Sequence, residues 1–233
     1  MKTCIVATLA VLGMTCCHIA GASSRTSPAT AGVHQAPPEI VESDTFRNGH
    51  PDMRWRQDGL RALERGDERR AFGLFQRAAR YADKPSQAMV AEMLWNGRGT
   101  LRDRPLAYAW MDLAAERMQP DLLARRELYW SRLGADERAK ALELGRAVYA
   151  DYADDVAKPR QAREMARVLN EMTGSRVGWS GFMKSTPYRD HKGFEQIDST
   201  VFFADRYWDQ AEYWQWQDDV LRAVDDGPGH ASR

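Results

Sequence analysis

One stretch of this chain repeats another at a fixed offset. Asp67 recurs as Asp103, Ala71 as Ala107, Phe72 as Tyr108, and Ala78-Ala79 as Ala114-Ala115, each thirty-six residues on. A period of that length, with apolar residues at helical spacing and almost no β-branched runs, describes a unit of two helices that cannot bury its apolar face alone and must stack on its neighbours. The local chemistry agrees. Asp67 and Asp103 stand where a helix needs an N-cap, and Pro105 falls in the first turn, where a missing amide hydrogen costs little. Ala71, Leu74, Phe75, Ala78 and Ala79 then share one face, as do Ala107, Trp110, Met111, Ala114 and Ala115. The small residues let helix backbones approach, and Gly97 and Gly99 supply the tight turn between helices.

The run from Leu94 to Ala115 resembles the Sel-one-like repeat, a relative of the tetratricopeptide repeat. It keeps Gly97, Gly99, Thr100, Asp103, Ala107, Trp110, Ala114 and Ala115 at the family's spacing, and departs at Leu94, in place of an aromatic, and Met118, in place of a closing glycine. Gly59, Ala62, Gly66-Asp67, Ala71, Phe75 and Ala78-Ala79 resemble a degenerate earlier copy. Pro120 to Arg132 and Ala135 to Tyr152, split at Gly134, form a third expected hairpin. The resemblance implies an all-α, short right-handed α-solenoid that binds a protein or peptide, with no catalysis and no cofactor.

The N-terminus carries a separate message. Lys2, an apolar run from Cys4 to Met14 and the small residues Ala20-Gly21-Ala22 make the three-part pattern of a secretory signal peptide, so residues 1–22 are expected to be removed and the protein to reach the periplasm or medium. A lipid anchor at Cys16 or Cys17 is the alternative. Both lie, with Cys4, in the leader, so the mature chain has no cysteine for a disulfide or thiolate site. Residues 23–52, rich in Ser, Thr, Pro, Ala and Gly, read as a flexible linker. The sequence holds 33 Lys+Arg against 33 Asp+Glu, a zero net charge that argues against a nucleic-acid partner.

After the repeat domain, taken as 53–173 with a last helix from about Arg160 to Met172, the segment 174–233 reads as irregular to Ile197 and then as one helix from about Ser199 to Val224. Eleven of the chain's 23 aromatic residues fall between Trp179 and Trp216. That helix is expected to cap the last hairpin; the other reading makes Tyr207, Trp208, Trp214 and Trp216 partner anchors, since Trp and Tyr concentrate at binding hot spots. In the solenoid, Met89, Met93, Trp95, Tyr129 and Trp130 are the expected groove residues, on the helices that line the concave side.

Other chemistry finds little support. No two histidines lie at the i, i+3 or i+4 spacing of a helical metal site, and Gly97-Arg98-Gly99 lacks the rest of a phosphate loop. The carboxylate pairs Asp154-Asp155, Asp218-Asp219 and Asp225-Asp226 read as solvated charge, since adjacent helical residues do not face each other. The alternative function is a cell-envelope enzyme using Asp190, His191 or Glu195, or a glycan-binding protein using the Trp-rich end.

Overall fold

Caps set the boundaries of the helices. In the computed structural model, which describes residues 36–173, 185–190 and 193–225, Asp67 accepts the Arg70 amide at 3.1 Å and Asp103 the Leu106 amide at 3.0 Å, so the two aspartates thirty-six residues apart do the same work. They open α4 (Glu68–Ala79) and α6 (Arg104–Ala114). Each is the second helix of a pair, after α3 (Pro51–Glu64) and α5 (Lys84–Asn96). The third pair is α7 (Pro120–Arg132) and α8 (Ala135–Tyr152), joined through Leu133 and Gly134, where the Glu137 carboxylate accepts the Gly134 amide at 2.9 Å.

Small residues decide how close these helices come. Ala71, Ala78, Ala79, Ala107 and Ala114 are fully buried between layers. A Cβ on Gly59 would stand 2.7 Å from the Phe75 ring, so α3 and α4 approach at a point only glycine permits. Gly99, at φ +67°, is doubly constrained, because a side chain there would also collide with the Glu68 carbonyl of the preceding pair. Large residues fill the space beside the small ones: Trp95 stacks on Tyr129 at 4.0 Å, joining α5 to α7, and Trp110 meets Tyr152 edge-on at 4.5 Å, joining α6 to α8. The stacked pairs make an all-α solenoid.

The turns after α4 and α6 repeat as well, without glycine. Ala82 and Met118, thirty-six residues apart, sit at φ +60° and +62°. The left-handed turn is therefore kept where Met118 replaces the closing glycine. Such a conformation costs an L-residue roughly 1–2 kcal/mol, offset in part by the roughly 0.5–1 kcal/mol of extra chain entropy that glycine loses on folding. Met118 is 65% exposed and gives up little packing. Met118→Gly should raise stability by about 0.5–1 kcal/mol in urea titration, whereas Ala82→Gly, which strips a fully buried methyl, should gain nothing.

Several expected boundaries move. The linker, expected over 23–52, gives way by residue 38 to α1 (Pro38–Val41) and α2 (Asp44–Gly49), with Ile40 and Phe46 fully buried. Its composition is linker-like, but two apolar side chains suffice to dock it. The last helix of the 53–173 region, α9 (Asp154–Thr173), starts six residues before Arg160 and carries Pro159 inside its second turn, at the cost of one backbone hydrogen bond. It leaves the array and packs against α2: the Gln161 side-chain amide donates to the Gly49 carbonyl at 3.1 Å.

Within the segment read as irregular, β1 (Ser185–Asp190) pairs antiparallel with β2 (Gly193–Asp198), Tyr188 opposite Glu195. The single expected helix over 199–224 is three pieces, α10 (Ser199–Phe202), α11 (Asp205–Trp208) and α12 (Gln210–Asp225). Two interactions impose the breaks. The Trp208 indole donates to the Phe202 carbonyl at 2.7 Å, and Asp209 leaves the helix to accept the Ala211 and Glu212 amides at 2.9 and 3.1 Å.

This aromatic end packs on the N-terminal helices and α9 rather than on the last hairpin. Phe202, Tyr207, Trp208, Tyr213, Trp214 and Trp216 join Ile40 and Phe46 from the N-terminal helices and Met165 and Val168 from α9 in a second hydrophobic core. Trp208 packs so tightly on Gly49 that a Cβ there would lie 2.8 Å from its ring.

Candidate functional site

The first helices of the three pairs face a common concavity. Arg56 and Leu60 of α3, Pro85, Ala88, Met89 and Glu92 of α5, and Asp121, Leu122 and Arg125 of α7 line a cleft of about 260 Å³ whose floor is Phe75. Its last wall is Leu221 of α12. The lining is mostly apolar, with the Arg125–Glu92 ion pair at the rim. Gln119, 5% exposed, also lines it, and its side-chain carbonyl oxygen has no hydrogen-bond partner among the described residues. A buried acceptor left unmatched costs about 1–3 kcal/mol, a local cost beside the cleft.

Of the residues expected to form the groove, Met89 alone lines this cleft. Met93, Trp95 and Tyr129 are 2%, 7% and 7% exposed and pack between helices. Trp130 is half-buried between the Tyr108 ring, 4.9 Å away, and the Arg138 guanidinium at 5.0 Å. The expected aromatic anchors are buried too. Tyr207 has no exposed surface, and Trp208, Trp214 and Trp216 are each 8% exposed, so their faces are spent on the second core. Sequence reasoning missed Leu60, Gln119 and Leu122. Leu60 and Leu122 lie on the first helices of their pairs, but Gln119 precedes its helix as an N-cap without a capping side-chain bond, and no spacing rule marks it.

Two charged networks hold α12 beside this cleft. Arg117 donates to Asp154 at 2.7 and 3.0 Å, to Asp218 of α12 at 3.2 Å and to the Ala82 carbonyl at 3.0 Å, and its guanidinium lies over the Trp214 ring at 4.8 Å. Lys84, buried beside it, pairs with Glu116 at 2.7 Å and Asp154 at 3.0 Å. Asp154 and Asp218, read from sequence as solvated, are thus two of the anions in a partly buried ion network. In the second network the Tyr213 hydroxyl donates to Asp52, and Arg56 pairs with Asp83 at 2.5 Å. Burial, with the charge of Asp83 added, pushes the Asp52 carboxyl up to about 7, outweighing the hydroxyl and Arg56.

His50 occupies the junction. Its ring stacks on Phe46 at 3.8 Å, and its two nitrogens face the Phe46 and Tyr207 carbonyls at 2.9 and 2.7 Å. Burial nonetheless lowers its pKa to about 4, against the pull of those carbonyls.

Among the described residues, no group of three or more His, Cys, Asp or Glu side chains could hold a metal ion, and no helix is long and apolar enough to cross a membrane. His191 lies outside the described residues, as do residues 1–22 with Cys16 and Cys17. Asp190 and Glu195 are placed only as strand positions.

Comparison with known proteins bears on the first two helix pairs. Residues 54–80 and 84–117, which span α3–α4 and α5 through the turn after α6, match the family model of the Sel1 repeat. Two segments of the chain thus match the Sel1 repeat. The third pair, α7 and α8, lies beyond the matched residues, and its α8 packs against α6. A crystal structure of a protective antigen present in uropathogenic Escherichia coli strains, displaying an SLR fold, is 25% identical, with a TM-score of 0.42; the similarity covers 47% of this chain and 25% of that one. This chain thus spans about a quarter of that protein's length. No curated protein matches the sequence. Sel1 repeats are a protein–protein interaction architecture, and the repeat region is read as such a module.

Proposed function

We propose that this protein is an exported, non-catalytic adaptor whose Sel1 array takes an apolar segment of a partner protein in the cleft between α3, α5 and α7. The cleft carries this reading: its volume of about 260 Å³ and its mostly apolar lining suit one or two apolar side chains. Export rests on the leader pattern of residues 1–22, with the periplasm or medium as destination and lipidation at Cys16 or Cys17 as the variant form.

Apolar peptides selected against the mature protein from a displayed library supply the test. Leu60→Asp and Met89→Asp place a charge on the cleft wall at positions that are 45% exposed and half-buried, so the fold should survive, as circular dichroism would show. Each should weaken the selected peptides at least about tenfold, the usual loss at an interface hot spot. Undiminished binding by both folded variants would remove the cleft as the site. For export, the intact mass of protein recovered from the periplasmic fraction should show loss of the leader; full-length protein confined to the cytoplasm would end that part of the reading.

A further inference from the structure

We propose that α12 is a proton-sensitive wall of the cleft, seated against the first repeat while the buried Asp52 carboxyl beside Tyr213 is neutral, and released as that carboxyl ionises because burial of the anion outweighs the bond it accepts from the hydroxyl. Tyr213 and Leu221 are eight residues apart on α12, about two turns, so the helix that inserts Tyr213 beside Asp52 also lays Leu221 along the cleft. Lifting α12 at Tyr213 therefore also moves Leu221, against the hold of Arg117 on Asp218 and Trp214.

Asp52 is placed to respond. It is 1% exposed; one carboxyl oxygen accepts from Tyr213, and the other is buried with no partner among the described residues. The cation near it, Arg56, is committed to Asp83, whose other oxygen caps α5 through the Ser86 amide at 3.1 Å. The charged and titratable groups facing Asp52 are therefore Arg56 on its own helix, Asp83 ahead of α5 and Tyr213 on α12, with His50 against the far side of the Tyr213 ring at 5.0 Å. An ionised Asp52 would be a second buried carboxylate on one shared guanidinium. Lifting α12 hydrates it and relieves that arrangement.

The linkage has a definite sign. With the carboxyl at about 7 when α12 is seated and near its ordinary value of 3.8 when hydrated, the seated form holds its proton longer. Opening is thus favoured as pH rises from 4 to 7, and Asp52 alone raises the opening constant about tenfold between pH 6 and pH 8. His50, lowered to about 4 by burial, works the other way if its ring is uncovered too, since it would regain protons below about 6.5.

Hydrogen exchange of the α12 amides in the mature, full-length protein reads the opening without any partner. Comparing wild type with Asp52→Asn at each pH cancels both the intrinsic pH dependence of exchange and the His50 contribution. The wild-type-to-variant ratio should rise about tenfold from pH 6 to pH 8; a constant ratio overturns the proposal. Asp83→Asn provides a second arm should the first variant misfold. It can still cap α5 but frees Arg56 for Asp52, and should flatten the wild-type pH dependence; an unchanged dependence counts against the proposal. The functional importance of this wall rests on the cleft reading, yet the two fail separately: peptide binding tests the cleft, and exchange tests the latch.

Discussion

A chain ending at Asp198 should lose at least about 10 °C of melting temperature or melt without a cooperative transition. The deleted residues carry Phe202, Tyr207, Trp208, Tyr213, Trp214 and Trp216, all buried in the second core. Each buried aromatic contributes roughly 1.5–3 kcal/mol, so their joint removal rivals the whole stability of an ordinary domain, about 5–15 kcal/mol. The damage falls on named neighbours. Ile40, Phe46, Met165 and Val168 lose the surfaces that cover them, Asp52 loses the Tyr213 hydroxyl, and Arg117 loses both Asp218 and the Trp214 ring. Differential scanning calorimetry of the truncated and full-length mature proteins provides the measurement. An unchanged midpoint would mean that the aromatic end is an independent arm, in conflict with every contact described for it. The repeat pairs α3–α6 bury their own alanine and aromatic seams, so residual helicity by circular dichroism should survive even where the transition is lost.

The repeat array was legible because local and tertiary requirements coincide there. Asp67 and Asp103 are caps in any helix, the Ala78-Ala79 and Ala114-Ala115 pairs demand a close neighbour, and a fixed offset of thirty-six residues supplies that neighbour. The split at Gly134 was readable for the same reason. What the sequence did not reveal is where the chain goes after α8. No local pattern says that α9 turns back to meet α2, because its contacts there, Met165 and Val168 beside Phe46 and Gln161 on a carbonyl 112 residues earlier, are all distant in sequence. The aromatic density after residue 200 announced a core but not its partner, since Phe46 and Ile40 sit in a segment whose composition is that of a tether. Likewise Asp154 and Asp218 look solvated from their neighbours alone. Their partners Lys84 and Arg117 are 70 and 101 residues away in sequence, and helix spacing cannot pair them.

Asp154→Ala should cost about 3–5 kcal/mol at pH 7, the penalty for stripping the partner from buried cations. Asp154 opens α9 and binds Arg117 through both oxygens, Lys84 at 3.0 Å and Lys158 at 2.9 Å, while its own amide donates to Glu116. Lys84, with a side chain showing no exposure, cannot turn to solvent when the carboxylate goes. Burial already lowers the Lys84 pKa, with Asp154 as the largest opposing influence. The network therefore stabilises by balance: three cations, Lys84, Arg117 and Lys158, against three anions, Glu116, Asp154 and Asp218, joining the turn after α6 to α9 and α12. A second substitution tests whether the cost is an orphaned charge rather than lost packing. Lys84→Met in the Asp154→Ala background removes the buried ammonium that Asp154→Ala leaves with Glu116 as its one carboxylate, so the double variant should recover at least about 1 kcal/mol by urea titration, a coupling that packing loss alone would not produce. The pH dependence adds an independent reading. Burial would raise the Asp154 carboxyl, but the bonds from Arg117 and the charge of Lys84 outweigh it and hold the group well below the ordinary carboxylate range. Its contribution is therefore full above about pH 4 and lost as pH falls further, so wild type should lose stability steeply below pH 4 while Asp154→Ala shows a flatter acid limb. Equal acid limbs, or a cost under about 1 kcal/mol at pH 7, would show that Arg117 and Lys84 are satisfied without Asp154.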